Sequence, residues 1–226
     1  KAKPALLYRE SDIRLIKACN YEEHGELLGT CDWIIEVVTE RLDIKQKVFD
    51  TVAKHRKPGT IVSSNTSGIP LAAMAATMPE EMRRHFAITH FFNPVRYMRL
   101  LEIVGGTDTL PTVTRDLAAF GERVLGKGIV HAKDTPNFVA NRVGTFGMGS
   151  VFRHMARLGL DVETVDAIFG SAMGRPKSAV FRTADVVGLD TLSHVFGTVY
   201  EKCPEDEERS AFVVPDYLTS LIASGR

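Results

Sequence analysis

Two rhythms of apolar residues alternate along the first 134 positions. Ile13 to Cys19 reads as a short strand. Trp33 to Val38 is nearly continuous and β-branched, which predicts a strand buried on both faces. Ile44, Val48, Phe49 and Val52 recur at helical spacing, predicting a helix from Ile44 to His55 that Lys57-Pro58-Gly59 ends. Thr60 to Ser63 is a strand again, Pro70 to Thr77 a short helix opened by proline, and His85 to His90 a third strand. Leu100 to Val104 follows too closely for a parallel crossover, which takes about a dozen residues, so it should run antiparallel to its predecessor. A helix from Pro111 to Leu125 and a strand from Gly128 to Ala132 close the series.

Strand–helix alternation of this kind predicts a mostly parallel sheet with right-handed crossovers. Ligands of such sheets sit at the carboxyl ends of the strands. Those ends carry Thr39-Glu40, Asn65-Thr66-Ser67 and His90-Phe91-Phe92-Asn93. One edge thus gathers a carboxylate, hydroxyls, amides and an imidazole.

The rhythm changes after Asp134-Thr135-Pro136-Asn137. A long helix is expected from Phe138 to Leu158, with Phe138, Val139, Phe146 and Phe152 on its apolar stripe. Asp161 should cap a second helix reaching Ile168. Gly174-Arg175-Pro176 reads as a loop, Ala184–Tyr200 and Pro215–Ala223 as helices, and the acidic Glu201–Arg209 as a solvated loop. The expected division is therefore residues 1–134, an α/β domain, and 135–226, all-α.

Composition narrows the class. Of 226 residues, 44% are hydrophobic and 25% charged, as in ordinary globular proteins. The 28 basic and 28 acidic residues balance, which gives no global pull towards nucleic acid or an anionic membrane. Cys19, Cys31 and Cys203 fit neither a disulfide framework nor a metal site, so a reducing, cytoplasmic location and no metal are expected. No apolar run is long enough to span a bilayer. The opening Lys1-Ala2-Lys3-Pro4-Ala5 lacks a methionine, and the chain is expected to be a piece of a longer protein.

A dinucleotide-binding fold usually opens with a strand, Gly-x-Gly-x-x-Gly and a helix. Gly126-Lys127-Gly128 precedes a strand instead of following one. Gly144, Gly147 and Gly149 lie in a helical pattern and should allow close packing. Any pyrophosphate cradle is expected upstream of Lys1.

The strongest chemical signal is His90, with Glu102 twelve residues on. Imidazole serves as a general base near neutrality. A carboxylate on the adjacent antiparallel strand would fix its tautomer and stabilise the imidazolium. Taken alone, a His and a Glu are more often a core histidine and a surface glutamate. Glu102, however, sits inside Leu-Leu-Glu-Ile-Val, where an unpaired charge is costly.

Four ordered motifs then carry a resemblance: Ser64-Asn65-Thr66-Ser67, His90 to Val95, Leu101-Glu102-Ile103-Val104 and Lys133 to Arg142. They resemble successive motifs of the 3-hydroxyacyl-CoA dehydrogenases, as do Asp32–Glu40 and Gly188-Leu189-Asp190. The resemblance runs from about residue 13 to the end. It implies a Rossmann-like, N-terminally truncated α/β domain followed by an all-α C-terminal dehydrogenase and dimerisation domain. It also implies NAD as cofactor and a (3S)-3-hydroxyacyl-CoA of fatty acid β-oxidation as substrate. His90 would be the base, Glu102 its support, and Ser67 and Asn141 the hydrogen bonders of the substrate oxygen. Val37, Glu40, Lys45, Ser67 and Asn93 would touch the cofactor. The partner would be a second copy, through the helical domain, or further modules of a multifunctional chain such as a hydratase. Without the family, Ser67 reads equally as a helix cap, Asn141 as a helix-start polar group, Glu40 and Lys45 as an exposed pair, and Lys133-Asp134 as a turn.

Three positions depart from the family pattern and bear on acyl specificity: Lys177 to Phe181 after Gly174-Arg175-Pro176, Gly68 after Ser67, and Arg96-Tyr97. Two other readings stand beside the first. One is a dehydrogenase of a free hydroxy acid; those enzymes use a lysine on the inter-domain helix, where this chain has Asn141-Arg142. The other is a truncated piece that folds without holding NAD.

Overall fold

The computed structural model describes residues 5 and 7–225. The expectation placed on Lys1–Ala5 therefore falls, apart from Ala5, outside the described residues. The chain divides into two compact units, Lys1–Thr135 and Pro136–Arg226.

In the first unit a one-turn helix α1 (Tyr21–His24) precedes strand β1 (Trp33–Glu36) and helix α2 (Leu42–His55). Strand β2 (Ile61–Ser64), the short helices α3 (Leu71–Ala75) and α4 (Glu80–Arg84), and β3 (Phe86–Phe91) follow. The series ends with β4 (Leu100–Gly105), α5 (Pro111–Arg123) and β5 (Gly128–Ala132). Among the described residues the strands form one sheet in the order β1-β2-β3-β4-β5. β1, β2 and β3 are mutually parallel, β4 is antiparallel to β3, and β5 runs parallel to β4. The mostly parallel sheet and its antiparallel fourth strand are as the sequence predicts.

Period two sorts the two faces. Ala87, Leu101 and Ile103 pack with Val113 and Leu117 of α5. The opposite face carries Phe86, Ile88 and His90, and Phe49 of α2 meets Phe86 edge-on at 5.2 Å. The hydroxyls of Ser63 and Thr89, buried within the sheet, are paired, which offsets the cost of burying them. Trp33 Nε1 donates to Ser63 Oγ (2.9 Å), which bonds Thr89 Oγ1 (2.8 Å).

Two strand expectations are corrected. Ile13–Cys19 is not a strand: Glu10–Leu15 is a 3-10 helix, and the segment is unladdered, with Ile13 66% and Leu15 79% exposed. A strand is stabilised by its ladder and its buried face, and this segment has neither. Trp33–Val38 is not buried on both faces. It lies at the edge of the described sheet, the strand stops at Glu36, and Ile35 and Val37 are exposed.

The second unit is all-helical: α6 (Ala140–Leu158), α7 (Val162–Ile168), α8 (Phe181–Val187), α9 (Leu189–Lys202) and α10 (Asp216–Ala223). Phe152 is central to its core, against Phe181 (5.2 Å), Phe196 (6.1 Å) and Tyr217 (6.3 Å). Asp161 caps α7 by accepting the Thr164 amide at 2.7 Å. Asp166 accepts the amides of Val180, Phe181 and Arg182 and so caps α8 from a distance.

The expected single helix Ala184–Tyr200 is two, because Gly188 adopts φ +92°, which breaks an α-helix and which glycine tolerates. Val139 and Phe146 are exposed, while Thr145, Gly149 and Phe152 form the buried stripe. Asp206 in the acidic loop is not solvated; it is paired with Arg142. Of the three glycines in α6, Gly149 alone is needed for packing. A Cβ there would stand 1.9 Å from the Ala211 carbonyl oxygen, whereas Gly144 and Gly147 face nothing within 4 Å. Gly149→Ala is therefore expected to cost the helical unit about 1–3 kcal/mol by overpacking. Gly144→Ala should stabilise it by about 0.5–1 kcal/mol through helix propensity. Opposite shifts of the thermal midpoint check the pair.

Candidate active site

Within the first unit the carboxyl ends of β1, β2 and β3 meet in one polar network. His90 is the penultimate residue of β3 and pairs in register with Glu102 of β4. Directly opposite residues on one face bring their side chains together, and His90 Nδ1 lies 2.8 Å from Glu102 Oε2. Both are buried, Glu102 at 0% exposure. The ring's other nitrogen, Nε2, lies 3.0 Å from Ser67 Oγ. The tautomer with its hydrogen on Nδ1 directs it to Glu102 and leaves Nε2 to accept from the Ser67 hydroxyl. Phe92 packs beside the imidazole at 4.4 Å between ring centroids.

Ser67 is not a helix cap. The N-terminus of α3 is served by Asp134, whose two oxygens accept the amides of Leu71 (2.9 Å) and Ala72 (3.2 Å). Ser67 sits instead in a turn that Glu40 grips. Glu40 Oε1 accepts from Thr66 Oγ1 (2.5 Å), the Ser67 amide (3.0 Å) and the Gly68 amide (3.0 Å). Burial pushes the Glu40 carboxyl up. The Thr66 hydroxyl, the Gly68 amide, the Lys45 ammonium and the Ser67 amide outweigh it and hold the group below the ordinary glutamate range.

Lys45 is fully buried on α2 and faces carboxylates of its own unit. Its Nζ lies 2.9 and 3.0 Å from the two oxygens of Glu36, 3.3 Å from the Val38 carbonyl and 3.4 Å from Glu40 Oε2. The exposed-pair alternative for Glu40 and Lys45 is thus wrong for the lysine. Val37 is 68% exposed, and Asn93 is exposed in the loop after β3. Lys127 ties that loop down through the carbonyls of Val95 (2.5 Å) and Met98 (2.7 Å). Asn141 belongs to the second unit, in the first turn of α6, where its carbonyl accepts Thr145 Oγ1 at 2.7 Å.

Several members of the network escape sequence reading. Glu36 accepts from Lys45, from the Val38 amide (2.6 Å) and from Ser64 Oγ (2.5 Å). Asn65 Oδ1 accepts the Phe91 amide at 2.8 Å and joins the ends of β2 and β3. Glu36 had a usable signal, a carboxylate inside an apolar strand with a lysine nine residues on. Asn65 and Asp134 lie in motifs that the sequence singles out, but their partners carried no signal, because these lie 26 and 63 positions away.

The carboxyl edge fits one half of a dinucleotide. Exposed Val37 and Asn93 and the hydroxyl of Ser67 suit an uncharged ring and ribose. A pyrophosphate needs free amides at a helix start. The amides of the Thr66–Gly68 turn and of α3 are already bonded to Glu40 and Asp134. Among the described residues no cluster of His, Cys, Asp and Glu is arranged to hold a metal, and no helix is long and apolar enough to cross a membrane.

An imidazole braced by a carboxylate, at the carboxyl edge of a mostly parallel sheet, stands where α/β proteins bind their ligands. Residues 3–135 match the family model described as 3-hydroxyacyl-CoA dehydrogenase, NAD binding domain, and residues 138–225 match the model of the C-terminal domain. The chain belongs to the 3-hydroxyacyl-CoA dehydrogenase family, whose cofactor is NAD. It is 49% identical over its whole length to a probable 3-hydroxyacyl-CoA dehydrogenase of Bacillus subtilis, of which it covers 28%. It is 40% identical, again over its whole length, to one of Deinococcus radiodurans, of which it covers 64%. The chain thus spans less than two thirds of either relative. Among solved structures, the (S)-3-hydroxybutyryl-CoA dehydrogenase of Ralstonia eutropha superposes with a TM-score of 0.78 at 27% identity. That match covers 89% of this chain and 68% of that one.

Proposed function

We propose that this chain carries the substrate chemistry of an NAD-dependent (3S)-3-hydroxyacyl-CoA dehydrogenase of fatty acid β-oxidation. The observation that carries the reading is His90 held between Glu102 (2.8 Å) and Ser67 (3.0 Å). His90 Nε2 takes the proton of the substrate's 3-hydroxyl while the C3 hydrogen leaves as hydride, so that the C3–O bond becomes a ketone. NAD, when bound, accepts that hydride. Glu102 holds the hydrogen on Nδ1, keeps Nε2 available and stabilises the imidazolium that forms. Ser67 hydrogen-bonds the substrate oxygen. Val37, Asn93 and Ser67 line the nicotinamide side. Glu40 borders it with its second oxygen, and Lys45 serves the cofactor through Glu40. The 3-ketoacyl-CoA product returns to alcohol by the reverse path.

The helical unit is the surface for a second copy of the chain. The free thiols Cys19, Cys31 and Cys203 suit the cytoplasm, and the B. subtilis relative is a precedent for residence within a longer polypeptide.

The test is acetoacetyl-CoA-dependent oxidation of NADH by the protein that contains this chain, followed by loss of nicotinamide absorbance. Turnover is expected. A rate with a free β-hydroxy acid and none with acetoacetyl-CoA would assign it to the free-acid dehydrogenases instead.

A further inference from the structure

Beyond the proton-transfer pair lies a second, buried line of charge. Glu36 is 3% exposed and Lys45 1%. Every oxygen of Glu36 is engaged: Oε1 by Lys45 and the Val38 amide, Oε2 by Lys45 and Ser64 Oγ. A buried pair satisfied this completely has one geometry, because any rotation leaves a charge unpaired. The ammonium it fixes also stands 3.4 Å from Glu40 Oε2. The other oxygen of Glu40 collects three donors from consecutive residues, Thr66, Ser67 and Gly68. That turn presents Ser67 Oγ to His90. An unbroken chain of contacts, none longer than 3.4 Å, therefore runs from β1 through α2 and the β2 turn to the imidazole on β3.

Thr66 gives the turn a second brace, since its hydroxyl also accepts the Ile69 amide at 3.0 Å. Glu40 follows β1 and the turn follows the neighbouring β2, so its carboxylate ties together the carboxyl ends of two paired strands. Placing one hydroxyl on one ring nitrogen requires the turn's amides to be fixed.

We propose that Glu40, held by the buried Glu36–Lys45 pair, is a positioning residue that aims the Ser67 hydroxyl at His90 Nε2 by gripping the Thr66–Gly68 turn. The proposal rests on the reading of His90 as the acid/base group. Glu40→Gln is the informative change. Its amide presents a donor either to the Lys45 ammonium or to the turn's own donors, so one side of the grip is lost.

The experiment uses the 226-residue chain with 15N-labelled histidine, and the longer protein for kinetics. In the cofactor-free chain, Ser67→Ala should move the Nε2 resonance of neutral His90. Glu40→Gln should move it in the same direction, and the double variant should move it no further. Thr66→Val, which severs one of the three bonds without altering charge, should give a smaller shift of the same sign and serves if Glu40→Gln does not fold. In the longer protein Glu40→Gln should lower kcat about tenfold, the scale of one hydrogen bond. No added loss of kcat is expected in the Ser67→Ala background. An unmoved His90 resonance in Glu40→Gln and Thr66→Val would overturn the proposal. So would a kcat loss that persists undiminished without Ser67, which would show that Glu40 does not act through that hydroxyl. If the unaltered protein oxidises no NADH with acetoacetyl-CoA, the dehydrogenase reading fails, and the resonance measurements still decide the positioning.

Discussion

His90→Gln is expected to remove about 10²–10⁴-fold of the acetoacetyl-CoA-dependent rate, the usual worth of a positioned acid/base group. Glutamine retains hydrogen-bonding ability at that point of β3 but cannot take up a proton near neutrality. The loss should therefore appear in kcat, with the Kd for NADH little changed. Glu102→Gln should approach the same loss by another route. Its amide can donate to Nδ1, which favours the tautomer with hydrogen on Nε2 and removes the acceptor that faces Ser67. Steady-state kinetics of the two variants and the double variant check the pairing. If the two residues act as a unit, the double variant is scarcely slower than His90→Gln. Independent multiplicative losses would show that they do not.

The second large effect concerns stability. Lys45→Met leaves Glu36 buried at the end of β1 without its cation, and Glu36→Gln leaves Lys45 with a weakened partner. Breaking one side of a buried pair costs about 3–5 kcal/mol. Lys45→Met should approach this value, and Glu36→Gln should fall below it because the amide oxygen still accepts. The double variant should cost less than the sum of the two by more than about 1 kcal/mol, as expected for residues in direct contact. Trp33, the sole tryptophan, lies three residues before Glu36 on the same strand. Its fluorescence in urea titrations reports the midpoint of this unit. Additive losses in the cycle would count against a coupled pair.

Much of the fold was legible along the chain. Trp33 to Glu36, Ile61 to Ser64 and Phe86 to Phe91 are short apolar runs separated by helical spacing, and local rhythm is enough to specify a parallel series. The eight residues between Phe91 and Leu100 are too few for a crossover, so the antiparallel β4 was also a matter of arithmetic. The same step placed Glu102 beside His90, because opposite residues on adjacent strands share a face. The failures share a cause. Ile13–Cys19 has the composition of a strand but no ladder among the described residues. Gly144 and Gly147 look like Gly149, yet only Gly149 meets a carbonyl. Neither a ladder partner nor a facing backbone is written in the local sequence.

What the sequence by itself determined is the order of the strands from Trp33 onward, the mostly parallel sheet, the helical second unit, the family, and the pairing of His90 with Glu102. These follow from periodicity, link length and the cost of an unpaired carboxylate among apolar neighbours. What only the tertiary structure decided is how the polar groups of the carboxyl edge are shared out. Asp134 caps α3 across 63 positions and so leaves Ser67 to the imidazole. Lys45 turns inward to Glu36, and Glu40 grips the turn that carries Ser67. Each of these groups has several chemically acceptable partners, and sequence spacing does not choose between them. The choice is made by which donors and acceptors the folded backbone brings within hydrogen-bond distance, and for the buried Lys45 and Glu36 by the cost of leaving either unsatisfied.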